Sequence, residues 1–491
     1  MTDDIQAWVR REGLALLTDF YELTMMAGYL KEGRADQQVC FQYFFRSLPP
    51  NNGFAITAGL EPFLDYLQQL RFYPDDIDYL RSLAIFDESF LGCLSSFQPR
   101  CTVQAIPEGT LVFPHEPILQ VSGSIFELQL METALLNMLN FQTLIASKAA
   151  RVCLAADGDP VMEFGLRRAH GPDGGLSGSR AAYIGGCTST SNVLAGKVYD
   201  LPVSGTHAHS WVMSFPSELE AFRAYARNYP EHCLLLVDTY DTIASGLPNA
   251  IAVFQELRAQ GINTRPAIRL DSGNLLELSK IAFQMMAVAG LHDPLIVASN
   301  DLDENLIAKL KGQGAKINAW GVGTHLITSR DCPSLNGVYK LVAVREQSGW
   351  APRMKISSNL EKATDPGRKR LVRYYGEDHQ PVGDVIYREE ESWSKESFSS
   401  GCQQARPDQA ASLTETRRGV ELMQKVFDNG KRCVLAPVVH EIRKRAQDQI
   451  AALPEEFKRL SDPEVYPVIL SEQMGRLKVD MLERLSHTQP P

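Results

Sequence analysis

The sequence lacks the features that define several function classes directly. Its nine cysteines are dispersed over 491 residues and none belongs to a C-x-x-C pair, which excludes a zinc ribbon. An odd, dispersed set of thiols is typical of a reducing compartment. No apolar run approaches the ~18 residues of a membrane-spanning helix, and the acidic, amphipathic start of the chain does not resemble a signal peptide. We therefore expect a cytoplasmic protein without a membrane partner.

Positive charge and nucleotide-binding motifs are also scarce. The 49 Lys and Arg residues are outnumbered by 59 Asp and Glu residues, giving a formal net charge of −10. This balance argues against a nucleic-acid partner, because a phosphate backbone requires a cationic surface. The segment LAGKVYD lacks both the first glycine and the final hydroxyl residue of a P-loop, and no G-x-G-x-x-G follows a predicted strand. A nucleoside triphosphate would therefore have to bind through a different structural motif.

What the chain does contain is the composition of a large globular enzyme, with 44% hydrophobic and 22% charged residues. Its length predicts two or three domains. In the first part, LEPFLDYLQQLRF has apolar residues at helical spacing, and CTVQAIPEGTLVFPHEPILQVSG predicts a small antiparallel sheet. The segment IFELQLMETALLNMLNFQTLIASKAARVCLAA predicts a long buried helix, on which Lys148 and Arg151 either join a functional site or face solvent.

From about residue 158, short apolar strands alternate regularly with helices. This alternation predicts at least six parallel β/α units, and polar residues follow the strands. A β/α barrel gathers such residues at its C-terminal mouth, whereas an open doubly wound sheet would distribute them along one edge. The succession of polar strand ends favours the barrel. The predicted strands lie in PVMEFG, LPVSG, CLLLVD, PAIRLD, PLIVASN and INAWGVG.

The segment VSGTHAHSWVM places His207 and His209 one residue apart, so that both rings lie on one face of an extended chain. The pair could ligate a metal, or it could relay a proton and form a covalent intermediate. Alternatively, both residues could be buried polar side chains whose hydrogen bonds are made within the packed interior. An H-x-H pair at a barrel strand end is typical of metal-dependent hydrolases, because imidazole suits zinc and its neighbours. That class needs further histidines at later strand ends, and only His325 comes near such a place. The metal-hydrolase alternative is therefore the weaker one.

Carboxylates, arginines and a glycine turn follow the predicted strands. Arginine presents a fork of donors suited to carboxylate and phosphate oxygens, and a glycine-rich turn before a helix can bind phosphate through main-chain N–H groups. Carboxylates can bind a diol or Mg2+. The set therefore suits a magnesium-bound, anionic sugar phosphate and a second anionic partner. Its members are Arg167, Arg168, Asp238, Asp241, Arg269, Asp271, Asp301, Gly321, Gly323 and Thr324.

Eight motifs occur in order between Leu16 and about Lys340: LLTDFYELTMMAGYL, FGLRRAHGPDGG, SRAAYIGGCTSTSNVLAG, GTHAHSWVMSFPSELEAF, LLVDTYDT, IRLDSGNL, ASNDLDE and WGVGTHL. Together they resemble the motifs of nicotinate phosphoribosyltransferases. The resemblance implies an enzyme that forms nicotinate mononucleotide and diphosphate from nicotinate and 5-phosphoribosyl 1-diphosphate in NAD biosynthesis, coupled to ATP hydrolysis and dependent on Mg2+. It also implies a homodimer whose active sites lie at the subunit boundary.

The fold implied by the resemblance is α/β: an irregular (β/α) barrel plus a smaller α/β sandwich domain. We accordingly expect residues 1–129 to form the N-terminal part of the sandwich domain and residues 130–335 to form the catalytic barrel. Residues 336–491 are expected to complete the sandwich and to add helices. Within them, a charged stretch at 355–373 either folds over the phosphates or faces water.

The resemblance also implies roles for individual residues. His209 corresponds to the histidine that ATP phosphorylates, Asp238 to the carboxylate that orients its ring, and Asp271 to a residue near the ribose and pyridine. The role of His207 is left open, because the family varies there, and Mg2+ is expected to bind through the diphosphate, with no protein ligand assigned. The expected nicotinate contacts are Phe164, Arg167, Thr206, Ser210, Arg269 and, from the partner chain, Tyr21. The expected phosphoribosyl diphosphate contacts are Ser299, Asn300, Gly321, Gly323, Thr324 and Lys340.

Three related alternatives remain at the level of sequence. In nicotinamide phosphoribosyltransferases the family implies an aspartate that contacts the amide, whereas the stretch TSTSNVLAG offers only hydroxyl and amide side chains, which favours nicotinate. A quinolinate-using relative shares the fold but is shorter and would need a denser basic patch. An inactive relative that merely binds a nucleotide is disfavoured by the intact set of His209, Arg167, Asp238, Asp271 and Gly323.

Overall fold

The structure is a computed structural model that describes residues 13–355, 364–393 and 418–486. Residues 356–363 of the charged stretch 355–373 lie outside the described residues. The chain divides into two units. We call Met1–Leu144 with Ser334–Pro491 the antiparallel unit, which contains more of the chain, and Ile145–Pro333 the barrel unit. None of the described helices is both long and apolar enough to cross a bilayer.

The first segment of the chain alternates helices with short strands. Its elements are α1 (Phe20–Lys31), β1 (Gln38–Phe45), β2 (Ala55–Ile56), α2 (Leu60–Gln69), α3 (Pro74–Ser82), α4 (Glu88–Ser95), β3 (Thr102–Ala105), β4 (Leu111–Val112), β5 (Leu119–Ser124) and α5 (Ile125–Leu130). Helix α2 buries Leu60, Phe63, Leu64 and Leu67, which confirms the helix predicted from the spacing of these residues. The predicted antiparallel strands are also confirmed as β3 and β5, which pair with each other.

The central segment begins with a long helix that runs from the first unit into the second and then alternates strands with helices. Its elements are α6 (Glu132–Ala156), β6 (Val161–Glu163), α7 (Gly171–Ile184), β7 (Ser189–Thr190), α8 (Val193–Tyr199), α9 (His209–Met213), α10 (Glu218–Asn228), β8 (Leu234–Leu236), α11 (Leu247–Ala259), β9 (Ala267–Leu270), α12 (Leu275–Val288), β10 (Leu295–Ala298), α13 (Glu304–Gly312), β11 (Ala319–Val322) and α14 (Thr324–Ile327). Side-chain caps fix several helix starts, as at α10, where Ser217 accepts the main-chain N–H of Glu220.

The last segment returns to antiparallel strands and ends in two helices. Its elements are β12 (Gly337–Glu346), β13 (Gly349–Pro352), β14 (Lys369–Tyr375), β15 (Pro381–Arg388), β16 (Arg418–Glu421), β17 (Gln424–Asp428), β18 (Lys431–Arg432), α15 (Val439–Ala452), β19 (Val468–Leu470) and α16 (Glu472–Ser486).

The sheets of the antiparallel unit combine both ends of the chain. Strand β1 pairs with β5 and with β12, so that Tyr43 lies opposite Leu119 on one side and Tyr339 on the other. The seven-stranded sheet has the order β13-β12-β1-β5-β3-β17-β18, and a four-stranded sheet has the order β16-β14-β15-β19. Their core includes the buried rings of Phe63 and Phe90. Strands after the barrel thus complete the sheet that the first segment begins.

The parallel sheet of the barrel unit is closed by a segment that is not itself a regular strand. The six strands have the order β7-β6-β11-β10-β9-β8, which leaves β7 and β8 at the edges. Residues 202–207 connect these edges: Val203 forms a parallel bridge to Thr190 of β7, and the hydroxyl of Thr206 donates to the carbonyl of Leu234 in β8 at 2.6 Å. The result is an irregular barrel whose strand order around the axis follows the chain.

The strands predicted for this unit are confirmed with one exception. β6, β8, β9, β10 and β11 form within the predicted segments. The prediction of a regular strand in LPVSG is wrong, because this segment makes only the isolated bridge at Val203. The regular strand at this place is β7, and its two hydroxyl residues offer no apolar alternation that would have revealed it.

Candidate active site

A cavity of about 480 Å³ opens at the C-terminal ends of the barrel strands, where barrel enzymes hold their active sites. Its walls come from the closing segment 202–207 and from the residues that follow β6, β7, β9, β10 and β11. The structure therefore brings together most of the predicted site residues from distant parts of the chain. Those that line the cavity are Phe164, Arg167, Thr206, Arg269, Asp271, Ser299, Asn300, Gly321, Gly323 and Thr324.

The ring of Phe164 forms part of the wall because residue 321 has no side chain. A Cβ atom placed on Gly321 would lie 2.7 Å from the Phe164 ring, closer than real Cβ atoms approach. The main-chain N–H of Phe164 donates to the carbonyl of Val322 at 2.8 Å, which holds the two segments together. Gly321 is therefore explained by the space that an aromatic ring needs.

Two arginines bring positive charge to the cavity. Burial lowers the pKa of Arg269, while the carboxylates of Asp271 and Asp238 act in the opposite direction. Its Nη2 donates to the carbonyl of His207 at 3.3 Å, and its Nε is buried without a hydrogen-bond partner in the described part of the chain. Arg167 lies in a 3-10 turn and is exposed. A guanidinium with a free buried donor is suited to bind an anionic group.

Asp238 and Asp271 are linked through the main chain. Asp238 Oδ2 accepts the main-chain N–H of Asp271 at 2.9 Å and the hydroxyl of Ser272 at 2.6 Å. Its Oδ1 is buried and has no hydrogen-bond partner among the described residues. The hydroxyl of Ser299 donates to Asp271 in a short hydrogen bond. The two carboxylates therefore connect the segments that follow β8, β9 and β10.

His209, the first residue of α9, stands beside this carboxylate pair. Its Nδ1 lies 3.1 Å from the hydroxyl oxygen of Thr239, and its Nε2 lies 3.7 Å from Asp271 Oδ2, with 39% of the side chain exposed. The resemblance implies Asp238 as the carboxylate that orients this ring. In the structure Asp271 is the carboxylate beside the ring. Asp238 instead accepts the main-chain N–H of Asp271.

His207 has a different environment from His209. Its buried ring accepts the main-chain N–H of Leu236 through Nε2 at 3.2 Å, so its proton is on Nδ1, which faces the carbonyl of Ala208 at 3.4 Å. Burial lowers the pKa of His207 to about 4, and the charge of Arg269 acts in the same direction. His207 is thus a neutral residue of the barrel closure, and both of its nitrogens are engaged.

Five of the fifteen predicted site residues do not line the cavity: His209 and Asp238, described above, and Ser210, Tyr21 and Lys340. Ser210 is exposed on α9. Tyr21, on α1 of the antiparallel unit, is 47% exposed, and partial burial together with the charge of Glu132 raises its pKa to about 12. Lys340, on β12 of the same unit, has its ammonium 3.7 Å from the Glu132 carboxylate.

Sequence reasoning missed Glu163, the buried last residue of β6. Its carboxylate accepts the main-chain N–H of Gly165 in a short hydrogen bond and the hydroxyls of Ser179 at 3.0 Å and Thr190 at 2.6 Å. These bonds fix the turn that carries Phe164. The available signal was a carboxylate at the end of the apolar segment PVMEFG, because a buried glutamate requires specific partners.

Comparison with known proteins identifies the family. Residues 16–140 match the nicotinate phosphoribosyltransferase (NAPRTase) N-terminal domain, and residues 368–478 match the nicotinate phosphoribosyltransferase C-terminal domain. The nicotinate phosphoribosyltransferase of Bacillus subtilis (strain 168) is 42% identical over 475 residues, which cover 96% of each chain. The chain belongs to the nicotinate phosphoribosyltransferase family. The Homo sapiens nicotinate phosphoribosyltransferase is 37% identical over 523 aligned residues, covering 94% of this chain and 95% of the human one.

Solved structures agree with this membership. The crystal structure of human nicotinic acid phosphoribosyltransferase matches with a TM-score of 0.81 and 34% identity, covering 95% of this chain and 99% of the human chain. A nicotinate-nucleotide pyrophosphorylase from Pyrococcus furiosus, 22% identical with a TM-score of 0.68 over 91% of this chain and 96% of its own, shows the shared fold alone. The expected fold class, an α/β barrel with a sandwich domain, is confirmed. Membership also makes the chain an enzyme of this type.

Proposed function

We propose that this enzyme converts nicotinate and 5-phosphoribosyl 1-diphosphate to nicotinate mononucleotide and diphosphate in NAD biosynthesis. We further propose that ATP hydrolysis is coupled to this reaction through phosphorylation of His209. The names of the relatives support the reaction. The observation that carries the role of His209 is the 3.7 Å distance between its Nε2 and Asp271, a residue of the cavity wall.

Nicotinate presents an aromatic ring and a carboxylate, and the cavity offers a partner for each. Phe164 supplies a ring for stacking. Arg269 supplies a buried Nε donor without a protein partner, and Arg167 adds a second guanidinium. A carboxylate gains more than a neutral amide from two guanidinium groups, so the acid is favoured over nicotinamide.

The glycosyl transfer itself requires little proton chemistry from the protein. The lone pair of the pyridine nitrogen forms the bond to ribose C1, and the C1–O bond breaks with its electron pair leaving on the diphosphate. Positive charge develops on the ribose and negative charge on the leaving group, so the protein contributes by positioning and by electrostatic stabilisation. Asn300, Gly323 and Thr324 are proposed to hold the phosphates, and Asp271 to lie near the ribose.

His209 has the arrangement of a nucleophile for the γ-phosphate of ATP. With its Nδ1–H donating to Thr239, the lone pair of Nε2 is free to attack phosphorus while ADP leaves. Asp271 then lies beside the positive charge that develops on the ring. Water later cleaves the N–P bond and releases phosphate, which closes the ATP cycle.

Mg2+ bound with the diphosphate would neutralise part of the negative charge of that group. The described residues contain no group of three or more His, Cys, Asp or Glu side chains able to hold a metal alone. They do offer the unpartnered Oδ1 of Asp238 and the cavity residues Asp271 and Asp301. This donor set fits Mg2+, which is commonly held by one or two carboxylates plus substrate phosphates.

We also propose a cytoplasmic homodimer in which Tyr21 of a second copy reaches the nicotinate site. The exposed side chains of Phe20, Tyr21 and Met25 on α1 support it, because a cluster of exposed apolar groups is typical of an interaction surface. Metal-dependent hydrolysis by the H-x-H pair is disfavoured, since both nitrogens of His207 are engaged in the barrel.

The proposal is tested by measuring diphosphate release with nicotinate or nicotinamide, each with and without ATP. We expect release with nicotinate that ATP enhances, and much less with nicotinamide. A preference for nicotinamide would indicate the related transferase. No turnover with either substrate would indicate a nucleotide-binding protein without this activity.

A further inference from the structure

Two buried cations on helix α6 have no place in the reaction described above. Lys148 and Arg151 lie three residues apart, on one face of the helix, and are 5% and 4% exposed. Their neighbours Ala146, Ala149 and Ala150 are fully buried. The alternative that these cations face solvent is therefore wrong, and neither lines the cavity.

Both cations converge on Glu304, the buried first residue of α13. The ammonium of Lys148 lies 2.9 Å and 2.8 Å from the two carboxylate oxygens of Glu304, and Arg151 Nε donates to one of them at 3.1 Å. Lys148 also lies 2.8 Å from a carboxylate oxygen of Asp331. One ammonium group thus joins the start of α13 to the turn that follows α14.

These two places anchor loops that line the cavity. The loop after β10 runs from Ser299, bonded to Asp271, to Glu304. Between them, Asn300 and Asp301 have φ values of 86° and 34°. Non-glycine residues hold such conformations at an energetic cost, and only where the surroundings impose them. The bonds of Ser299 and Glu304 hold the two ends of this loop.

A second contact joins the same two loops. Asp303 caps α13 by accepting the main-chain N–H of Leu306 at 2.8 Å, and its other oxygen lies 3.9 Å from His325 Nδ1 in α14. His325 Nε2 in turn lies 3.2 Å from Arg330. Two side-chain contacts outside the cavity, Lys148–Asp331 and Asp303–His325, thus join the loop after β10 to the segment after β11.

Stability alone does not explain why these charges are buried. Removing charges from water is costly, and a well-packed apolar group of the same volume is often as stable as a buried ion pair or more so. An apolar side chain at this position could not hold two loops at a defined distance, because dispersion contacts have no direction. The buried ion pairs of Lys148 therefore point to a role in geometry.

We propose that Lys148 is a positioning residue that sets the distance between the Asn300–Asp301 loop and the Gly323–Thr324 turn for binding of the phosphoribosyl diphosphate. The inference rests on the proposed function, from which this substrate is taken. Lys148 acts through Glu304 and Asp331 and does not itself contact the ligand.

The test compares Lys148→Met with Lys311→Met. Lys311 is a matched control, because it pairs with Asp159 at 2.7 Å in the same unit and lies near the other end of α13. We expect Lys148→Met to raise KM for 5-phosphoribosyl 1-diphosphate about tenfold while kcat falls less than about threefold, the pattern of lost ground-state binding. Lys311→Met should leave both constants near those of the wild type.

Asp331→Asn is a milder second variant. Asp331 is 42% exposed. Its replacement therefore removes the Lys148–Asp331 ion pair and leaves the Lys148–Glu304 pair in place. Its KM should rise about threefold. If Lys148→Met does not fold, Asp331→Asn decides. A folded Lys148→Met or an Asp331→Asn with unchanged KM, whatever its Tm, overturns the proposal.

Hydrogen exchange gives a readout that does not depend on activity. Amides in 299–304 and 323–332 should exchange faster in both variants than in the wild type, and should gain less protection when inorganic diphosphate is added. Unchanged exchange in these loops overturns the positioning role. If the wild type shows no turnover with nicotinate, the proposed function is wrong. The hydrogen-exchange measurements still test the role of Lys148 in that case, because they do not depend on activity.

Discussion

His207 Nε2 accepts the main-chain N–H of Leu236 at 3.2 Å, and this bond attaches the closing segment 202–207 to the edge strand β8. Two residues later, His209 Nε2 lies 3.7 Å from Asp271 at the cavity wall. The two histidines look equivalent in the sequence, but one closes the barrel and the other stands beside the cavity. Substitutions at the two positions should therefore separate folding from chemistry.

His209→Ala should abolish the enhancement of diphosphate release by ATP and leave the fold intact, because its ring is 39% exposed. His207→Ala is the matched control. It removes a buried ring and leaves the Leu236 N–H without its partner, and should lower the free energy of unfolding by about 2–4 kcal/mol. Thermal unfolding and transfer of labelled γ-phosphate from ATP to the protein measure the two effects. Full ATP coupling in His209→Ala would refute the role of this residue.

The pH dependence of stability should report the burial of His207. Its pKa of about 4 in the folded protein lies below the ordinary 6.5, so between these values the unfolded chain binds more protons. The contribution of the neutral ring is complete above about pH 6.5 and is lost as the pH falls toward 4, by up to about 3 kcal/mol.

His207→Gln is the control for this prediction, because its amide oxygen can accept the Leu236 N–H but does not titrate. The free energy of unfolding in urea is measured for both proteins from about pH 7.5 to about pH 4.5. The wild type should lose stability relative to the variant over this interval. A difference between the two proteins that is constant with pH would show that His207 is not buried in its neutral form.

The sequence predicts those parts of the site that directly follow the barrel strands. Polar residues that follow apolar strands, such as Asp271 after β9 and Ser299 after β10, meet at one mouth because parallel strands share a direction. Their convergence in one cavity therefore follows from alternation and chain order. The fold class follows in the same way.

The parts that the sequence does not predict depend on contacts between distant segments. Closure by residues 202–207 involves one isolated bridge and side-chain bonds, which leave no periodic pattern. The ion pair between Lys148 and Glu304 joins residues 156 positions apart. The buried state of Lys148 could not be inferred from its charge, because charged residues on helices usually face solvent.

Gly321→Ala should displace the Phe164 ring, which we propose stacks on nicotinate, because the new Cβ would lie 2.7 Å from this ring. We expect KM for nicotinate to rise about tenfold as the ring is displaced. Gly312→Ala is the matched control, since nothing lies within 4 Å of its added Cβ, and it should stabilise α13 by up to about 1 kcal/mol. Steady-state kinetics with varied nicotinate measure the effect. An unchanged KM in Gly321→Ala would show that the Phe164 ring does not contact the substrate.

Asp238→Asn should separate the charge of this side chain from its hydrogen bonds. The amide oxygen can still accept the Asp271 N–H and the Ser272 hydroxyl, which Asp238 Oδ2 binds at 2.9 Å and 2.6 Å. The fold should therefore survive, with a change in unfolding free energy below about 2 kcal/mol. Phosphorylation of His209 should nevertheless slow by about a hundredfold, because the negative charge of Asp238 no longer favours the positive charge that develops on the ring. Asp241→Asn is the control: Asp241 caps the next turn by accepting the N–H groups of Ile243 and Ala244, and asparagine caps equally well. If Asp238→Asn is phosphorylated at the rate of Asp241→Asn, the carboxylate of Asp238 serves only to hold the main chain of Asp271, and the unpartnered Oδ1 has no part in the reaction.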